Sequence, residues 1–504
     1  MISRRQRLAS LLTALVVLFL ASDVPRAQRQ GPPVAALDWD ATMGLPSVQD
    51  LNADPNVLEI NLTAQVATVE IAPGRRVDAW TYNGGIPGPL IRLKVGDRLI
   101  VHFTNKLPSP TTVHWHGLRV PVQMDGVPGA SQPNVATDGT FTYDFVVPDA
   151  GLYWYHPHVM AAEQVGFGLY GAFLVDDPAQ PVDVEEHVLV LSDIDLLDNG
   201  TLAPSDTGGS AGMAFGREGT VLLVNGRNHP KVTVNTGVPQ RWRIVNAAKS
   251  RYFDLNGGAR KAFTRVGSDG GIQEYPEEIE NLVLAPGERM DVFYTPDARP
   301  GTEFGIGARL FDRGYGSTEA RQGEDLFTMA MSAAPAPPAV PLPRLTRTIE
   351  PIPPAGATAV PIEFGILQNS RDGTFLYTIN GKPLELAAPV KATVGETQIW
   401  TVNNPTPWSH PLHIHGFFFQ VLDANGQPTR PLQWKDTVSV PFKGSVKLIV
   451  RYDDRPGAWM YHCHILDHAE GGLMSYVLLT GPGAAAPALP APEHTHNAGA
   501  MQER

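Results

Sequence analysis

The chain contains a single cysteine, Cys463, which lies in a histidine-rich stretch near the C-terminus. His462 and His464 flank it, and His468 follows shortly after. A thiolate together with imidazoles suits copper, zinc or iron. In an extended strand, His462 and His464 point to one face and Cys463 to the other. The cysteine is therefore expected to serve one metal and its neighbours others, which favours electron transfer between metals over structural zinc.

Most of the other histidines recur as pairs with one residue between them, in or beside strand-like sequence. The four pairs are His114 and His116, His156 and His158, His413 and His415, and His462 and His464. Each pair projects both imidazoles to one side of its strand. Eight imidazoles are too many for one metal and suit three. The remaining residues His410, Cys463 and His468 offer two imidazoles and one thiolate, the ligand set of a blue-copper electron-transfer centre.

Two repeated sequence patterns indicate the elements that position these residues. A glycine turn followed by an alternating strand that ends at asparagine occurs at residues 95–105, 236–246 and 394–404. A second pattern follows each copy, at 148–158, 296–305 and 453–464. Offsets of this size are those of whole domains. A chain of 504 residues is too long for one core, and 49 Gly and 46 Pro favour β-sandwiches.

The second pattern ends in His-x-His in the first and third copies but in Phe304-Gly305-Ile306 in the middle copy. We therefore expect the metal site between the first and third domains, with the second domain as a metal-free spacer. The predicted segments are a signal peptide over 1–27, a first domain over 55–177, a second over 178–333, a Pro-rich linker over 334–360, a third domain over 361–481, and a disordered tail over 482–504.

The N-terminus predicts export. Basic residues that include Arg4 and Arg5 precede an apolar run and small residues, which favours a twin-arginine signal, with an ordinary secretory signal as the alternative. A periplasmic or secreted location follows. The net charge of −12 makes nucleic acid or an anionic membrane an unsuitable partner.

Four blocks of this chain resemble the multicopper oxidases, in particular laccases and bacterial copper-efflux oxidases, over residues ~55 to ~480. The blocks are His114-Trp115-His116-Gly117, Tyr155-His156-Pro157-His158, His410-Pro411-Leu412-His413-Ile414-His415-Gly416, and His462-Cys463-His464 with His468. The resemblance implies an all-β monomer of three consecutive cupredoxin-like Greek-key β-sandwich domains with four copper ions.

The resemblance also divides the ligands among these coppers. His410, Cys463 and His468 would bind the type 1 copper, and His114 and His413 the type 2 copper. His116, His156 and His464 would bind one type 3 copper, and His158, His415 and His462 the other. A reductant would give up electrons at the type 1 copper through an exposed edge of His468 or His410. Cys463 would pass them through its neighbours to the other three coppers, where dioxygen is reduced to water.

Three further residues have expected roles. Asp125 stands where bacterial members carry an acid that donates protons, although an ordinary Asp-Gly turn is the alternative reading. Many bacterial members also have an acid directly after the second type 1 histidine. This chain has Ala469 there, and Glu470 is the candidate substitute. Leu473 occupies the axial position of the type 1 copper, where it cannot coordinate, so we predict a raised redox potential.

The reductant separates three hypotheses. The first is a laccase-like oxidase of phenols and aromatic amines. The second is an oxidase of Cu(I), Fe(II) or Mn(II) that serves copper tolerance, and the third is a scaffold that has lost its metals. The complete ligand set argues against the scaffold. The chain has 11 methionines and no Met-rich insert. Met329 and Met331, the one close pair, are expected in a core, so the first hypothesis is favoured.

Overall fold

A computed structural model describes residues 44–256, 263–314, 323–335, 338, 341–368, 373, 375–485 and 487–488. The predicted signal peptide, part of the linker and most of the predicted tail lie outside these residues. Within them, no helix is both long enough and apolar enough to cross a membrane.

Strands dominate the described chain and form six sheets, two in each of three successive β-sandwiches. In the first sandwich the sheets have the strand orders β2-β1-β4-β6 and β3-β8-β7-β5. The strands are β1 Val57–Ala72, β2 Arg75–Tyr82, β3 Gly88–Lys94, β4 Arg98–Asn105, β5 His114–His116, β6 Thr140–Val146, β7 Gly151–His156 and β8 Gly171–Asp176. A 3₁₀ turn over Val122–Met124 and helix α1, Ala161–Gly166, accompany them.

The second sandwich has the strand orders β10-β9-β12-β17-β14-β15 and β11-β19-β18-β13-β16. Its strands are β9 Glu185–Ile194, β10 Val221–Val224, β11 Lys231–Val234, β12 Gln240–Asn246, β13 Phe253–Asn256, β14 Phe263–Ser268, β15 Gly271–Ile279, β16 Leu282–Leu284, β17 Arg289–Tyr294, β18 Glu303–Arg309 and β19 Glu324–Met331. Helix α2, Gly209–Phe215, lies in the connection between β9 and β10.

The third sandwich has the strand orders β21-β20-β23-β27-β25 and β22-β29-β28-β24-β26. Its strands are β20 Thr358–Gln368, β21 Phe375–Ile379, β22 Val390–Thr393, β23 Thr397–Asn404, β24 His410–Ile414, β25 Phe419–Leu422, β26 Thr437–Val440, β27 Gly444–Arg451, β28 Gly457–Cys463 and β29 Met474–Thr480. Helix α3, Leu466–Glu470, follows β28, and a 3₁₀ turn covers Leu384–Leu386. The three-sandwich architecture predicted from the sequence is confirmed, while the predicted boundary residues stay a prediction.

The first repeated pattern corresponds to one equivalent strand in each sandwich. β4, β12 and β23 each pair in parallel with the first strand of their own sandwich and antiparallel with a later strand. Each ends at a buried asparagine, Asn105, Asn246 or Asn404, whose side-chain amide donates to at least two backbone carbonyls further along the chain. The repeated asparagine therefore satisfies backbone groups that the end of the strand leaves unpaired.

Each sandwich has its own apolar core. Met329 and Met331 are buried in the core of the second sandwich, as expected. In β5, Trp115 points into the core of the first sandwich while His114 and His116 leave by the opposite face. The two-residue period of the strand therefore separates a packing residue from two candidate ligands.

Candidate metal centres

The thiolate site forms where β28 ends beside the start of β24. Cys463 Sγ lies 3.5 Å from His410 Nδ1 and 3.8 Å from His468 Nδ1, and the two imidazole nitrogens are 3.0 Å apart. All three side chains are fully buried. The sequence grouped these residues, and the structure brings their donor atoms together.

The tautomer of His410 follows from the hydrogen bond of Nε2, the ring nitrogen that faces away from the thiol. The Thr406 hydroxyl donates to Asn404 Oδ1, so His410 Nε2 donates its proton to Thr406 Oγ1 at 2.8 Å. His410 Nδ1 is then left without a proton and faces the thiol. This is the form in which an imidazole binds a metal.

A cover on this site contradicts one expectation. The ring of His468 stacks on Tyr377 with centroids 4.3 Å apart, and the Tyr377 hydroxyl donates to Ala214 O in helix α2 at 2.6 Å. His410 and His468 are both 0% exposed, so the predicted exposed histidine edge is wrong. The covering ring comes from β21 of the third sandwich, and its hydroxyl is held by helix α2 of the second sandwich, in a connection that the sequence repeats do not describe.

Leu473 lies beside the thiolate site. Its backbone carbonyl accepts from Cys463 N at 2.9 Å, and its amide donates to His468 O at 3.0 Å. Its side chain belongs to the same buried cluster as Cys463, whereas Met474 packs in a different cluster with Ala469. Leucine, and not the neighbouring methionine, therefore faces the apolar side of the site.

The other eight histidines meet between the first and third sandwiches. Strand pairing places His114 opposite His156, and His413 opposite His462. The histidines of the two sandwiches pair in exchanged order. The ring of His114 stacks on that of His415 with centroids 3.9 Å apart, and the ring of His116 stacks on that of His413 with centroids 3.8 Å apart. The eight-histidine site is therefore built by two related strand pairs that face each other.

Unsatisfied nitrogens show that this site fits metal ions. His114, His156, His413 and His462 use Nδ1 to donate to a backbone carbonyl. Their Nε2 atoms point inward, and His415 Nε2 lies only 3.1 Å from His462 Nε2. The buried nitrogens without a hydrogen-bond partner among the described residues include Nε2 of His114, His156, His158, His413 and His464, and Nδ1 of His116. Buried polar atoms are normally paired, so converging bare nitrogens mark ligand positions.

Burial keeps these imidazoles in the form that binds metal. It lowers the pKa of His156, His158 and His464 well below the ordinary value, with neighbouring histidines adding to the effect. It also lowers the pKa of His415 to about 3, and Asp125 opposes this only in part. A neutral imidazole is the species that coordinates a metal, so no proton has to leave when a metal enters.

The distances give groups of ligands. Donor atoms within 4.8 Å of one another include the set His158, His415 and His462. His114 and His413 occur together in another set, with His415. The rings of His116, His156 and His464 lie 4.9 to 5.7 Å apart.

Cys463 joins the two sites through the backbone. Strand β28 ends at Cys463, whose Sγ reaches the thiolate site. Its neighbours turn the other way, and the rings of His462 and His464 lie 5.5 Å apart inside the eight-histidine site. Two adjacent peptide units therefore connect the two sites, as the alternation of a strand predicts.

Asp125 lies against the eight-histidine site rather than in an isolated turn. His415 Nδ1 donates to Asp125 Oδ2 at 2.8 Å, and Asp125 Oδ1 lies 3.4 Å from His114 Nδ1. The side chain is only 1% exposed. Burial favours a raised pKa for Asp125, but His415 and His114 outweigh burial and lower the pKa below its ordinary value.

Glu470 takes a different position. Its Oε1 accepts from Ala162 N at 2.8 Å, at the start of helix α1 and four residues after His158. The side chain is partly buried, and burial raises its pKa to about 7. Glu470 therefore bridges helix α3 of the third sandwich to the segment that follows His158.

Asp436 is a buried acid at the site that the sequence analysis missed. Its Oδ1 lies 3.3 Å from His116 Nε2, and its carbonyl accepts from His413 Nδ1 at 3.0 Å. Arg289 of the second sandwich pairs with the Asp436 carboxylate. The available signal was a polar Lys435-Asp436-Thr437 run at the start of the short strand β26, without histidine or repeat to draw attention to it.

Comparison with known proteins agrees with this geometry. Family models described as multicopper oxidase match residues 63–180, 185–330 and 357–481. A multicopper oxidase of Mycobacterium tuberculosis is 31% identical over 83% of this chain and 86% of its own length.

Two solved structures are also similar. A multicopper oxidase from Campylobacter jejuni, described as a metallo-oxidase, has a TM-score of 0.75 and 29% identity, over 88% of this chain and 96% of that one. A laccase-like multicopper oxidase from Ochrobactrum, with oxidase activity towards lignin model compounds, has a TM-score of 0.73 and 26% identity, over 87% of this chain and 100% of that one.

The three matched segments cover all three sandwiches, and the site has the donor set that copper requires. The chain therefore belongs to the multicopper oxidases, copper-dependent oxidoreductases that take electrons from a reductant and use dioxygen as the acceptor.

Proposed function

We propose that this protein is a laccase-like oxidase of phenols and aromatic amines that works as an exported monomer with four copper ions. The observation that carries the proposal is the position of Cys463 between two histidines that serve the other site. Bound copper would supply one-electron oxidation of the reductant at the thiolate site and four-electron reduction of dioxygen to water at the eight-histidine site.

The ligands are assigned as the resemblance implied, and the donor groups support the set of His410, Cys463 and His468 and the set of His158, His415 and His462. His410, Cys463 and His468 hold the type 1 ion, and His114 and His413 the type 2 ion. His116, His156 and His464 hold one type 3 ion, and His158, His415 and His462 hold the other. The backbone and carboxylate partners of these histidines fix their tautomers and so orient them before metal enters.

The remaining residues handle protons and exclude water. Asp125 holds His415 and His114 and is the carboxylate that relays protons to the eight-histidine site. Glu470 is a second proton carrier, since a carboxyl group with a pKa of about 7 exchanges protons near neutral pH. Tyr377 and helix α2 keep water from His468.

An aromatic reductant has a place beside the cover. A cavity of about 210 Å³ opens next to helix α2, with Gly212 and Arg217 in its wall. The Arg217 amide donates to Asp467, the residue before His468, at 2.6 Å. The volume of the cavity suits one substituted aromatic ring. Arg217 in its wall is connected to His468 of the thiolate site by the hydrogen bond to Asp467 and the peptide bond between Asp467 and His468.

The cover also favours a second candidate, oxidation of Cu(I). A histidine with no exposed edge disfavours direct contact with a bulky ring, and helix α2 contains Met213. A thioether is a ligand that Cu(I) prefers. The Campylobacter relative, described as a metallo-oxidase, agrees with this candidate.

Dioxygen uptake by the copper-loaded protein decides between the two reductants. We expect a higher kcat/KM for 2,6-dimethoxyphenol than for stabilised Cu(I). Met213→Leu should leave phenol oxidation within about twofold, because leucine preserves the packing and removes only the thioether. A higher value for Cu(I), together with a selective loss of Cu(I) oxidation in Met213→Leu, would establish the second candidate instead.

Asp125→Asn should lower kcat for dioxygen reduction by about 100-fold, the scale of a lost general acid. Asparagine keeps the shape and still accepts from His415, so the ligands stay in place. Anaerobic bleaching of the blue colour by the reductant should keep its rate. Unchanged dioxygen uptake in this variant would show that protons arrive by another path.

Leu473→Met should lower the redox potential of the type 1 site, because a thioether in place of the Leu473 side chain would stabilise oxidised copper held by Cys463. Redox titration of the blue absorption measures this directly. Met474→Leu is the matched control, since Met474 packs away from Cys463 and its loss should leave the potential unchanged. A potential that rises or does not move in Leu473→Met would exclude Leu473 as the axial neighbour.

A further inference from the structure

We propose that the second domain positions ligands of the eight-histidine site, chiefly through Arg289, although no residue of its described part belongs to any ligand group. The inference rests on the proposed copper assignment. It changes the role of this domain from a spacer to the part that holds the other two sandwiches in register around the metals.

Arg289 lies at the meeting point of all three domains. It begins strand β17 of the second sandwich and is 1% exposed. Its Nε donates to Leu152 O of the first sandwich at 3.1 Å. Its Nη1 and Nη2 donate as a fork to the two carboxylate oxygens of Asp436 in the third. The remaining two N–H groups donate to Gly287 O and Asp269 O, so all five donors are used.

Asp436, which Arg289 holds in place, orients two of the histidine ligands. Its Oδ1 faces His116 Nε2 at 3.3 Å and also accepts from the Thr437 hydroxyl at 2.8 Å. Because His116 Nε2 is directed at this carboxylate, Nδ1 is the nitrogen left for metal. The Asp436 carbonyl accepts from His413 Nδ1, which leaves Nε2 of that ring for metal. One carboxylate and its own backbone therefore select the donor atom of two ligands.

The turn before Arg289 also touches the site. Gly287 has φ of +85°, and a Cβ placed on it would lie 2.8 Å from His464 Cδ2 and 3.1 Å from His116 Cε1. Only glycine allows the backbone of the second domain to approach these rings so closely. The second domain thus reaches two histidines by packing as well as by charge.

Two cations, Arg289 and Lys435, lie among three acids, Asp269, Glu288 and Asp436. Asp269 accepts from the Arg289 amide at 2.9 Å, and Lys435 Nζ lies 3.2 Å from Asp269 and 3.1 Å from Glu288. The fork from Arg289 contacts both carboxylate oxygens of the buried Asp436, so the loss of the guanidinium would leave this acid without its main charge partner.

The test compares two Arg→Lys variants of copper-loaded protein. Arg289→Lys keeps the charge but removes the fork and most of the donors. The matched control is Arg241→Lys in the same domain. Arg241 is 5% exposed and makes a forked contact with Asp291 through Nε and Nη2, between two strands of the second sandwich. Each protein is titrated with a copper chelator while the blue absorption, the type 2 paramagnetic signal and copper per chain are followed.

We expect the type 2 and type 3 coppers of Arg289→Lys to be removed at about 10- to 100-fold lower chelator concentration, the usual effect of losing an outer partner of a metal ligand. The blue absorption should persist, because the thiolate site does not contact Arg289. Arg241→Lys should match the unchanged protein. Equal behaviour of the two variants, or loss of the blue absorption together with the other signals, would overturn the inference.

Two further measurements cover a variant that does not fold and a protein that binds no copper. If Arg289→Lys does not fold, Asp436→Asn must show the same selective loss of the type 2 and type 3 signals, since it keeps the shape and removes the charge. If the unchanged protein binds no copper at the eight-histidine site, the proposed copper assignment fails before the role of Arg289 is tested.

Discussion

The structure depends on one constraint, the alternation of side chains along strand β28. Cys463 and its two neighbours are joined by adjacent peptide bonds, yet the thiol contacts His410 and His468 while His462 and His464 enter the other site. This arrangement requires the third sandwich to present one site on each side of a single strand. It also requires the first sandwich to deliver four histidines to one of those sides, which explains why two strand pairs face each other across the domain interface.

Burial of ten imidazoles and one thiol has a clear energetic consequence. Bare ring nitrogens are unfavourable in an apolar interior unless a cation replaces the lost water, and burial raises the pKa of the Cys463 thiol, so the thiolate also needs a cation beside it. The chain fixes the outer nitrogens with Asp125, Thr406 and backbone carbonyls, so that the inner ones converge. Metal binding then completes a prearranged site, and the ordering of the ligands is achieved by folding.

The sequence was sufficient for the fold and for the grouping of ligands because both depend on local periodicity. The repeated strand that ends at Asn105, Asn246 and Asn404 identified three sandwiches, and His-x-His spacing identified which faces meet. Features made by contacts between distant segments were not predictable in this way. The cover over His468 combines Tyr377 with the β9–β10 connection that holds its hydroxyl, and the ion pair of Arg289 with Asp436 joins residues that are far apart in the chain. Neither carries a local pattern that a single sequence reveals.

The central claim is that Cys463 is a ligand of the thiolate site only and that its two neighbours connect it to the eight-histidine site, which binds its metals without the thiol. The most direct measurement is copper content and spectra of Cys463→Ser loaded with copper, beside the unchanged protein. The account predicts four coppers per chain in the unchanged protein and three in the variant. The variant should lose the blue absorption, keep the type 2 and type 3 signals, and receive no electrons from the reductant without air. Loss of all copper, or a blue colour that survives, would contradict the account.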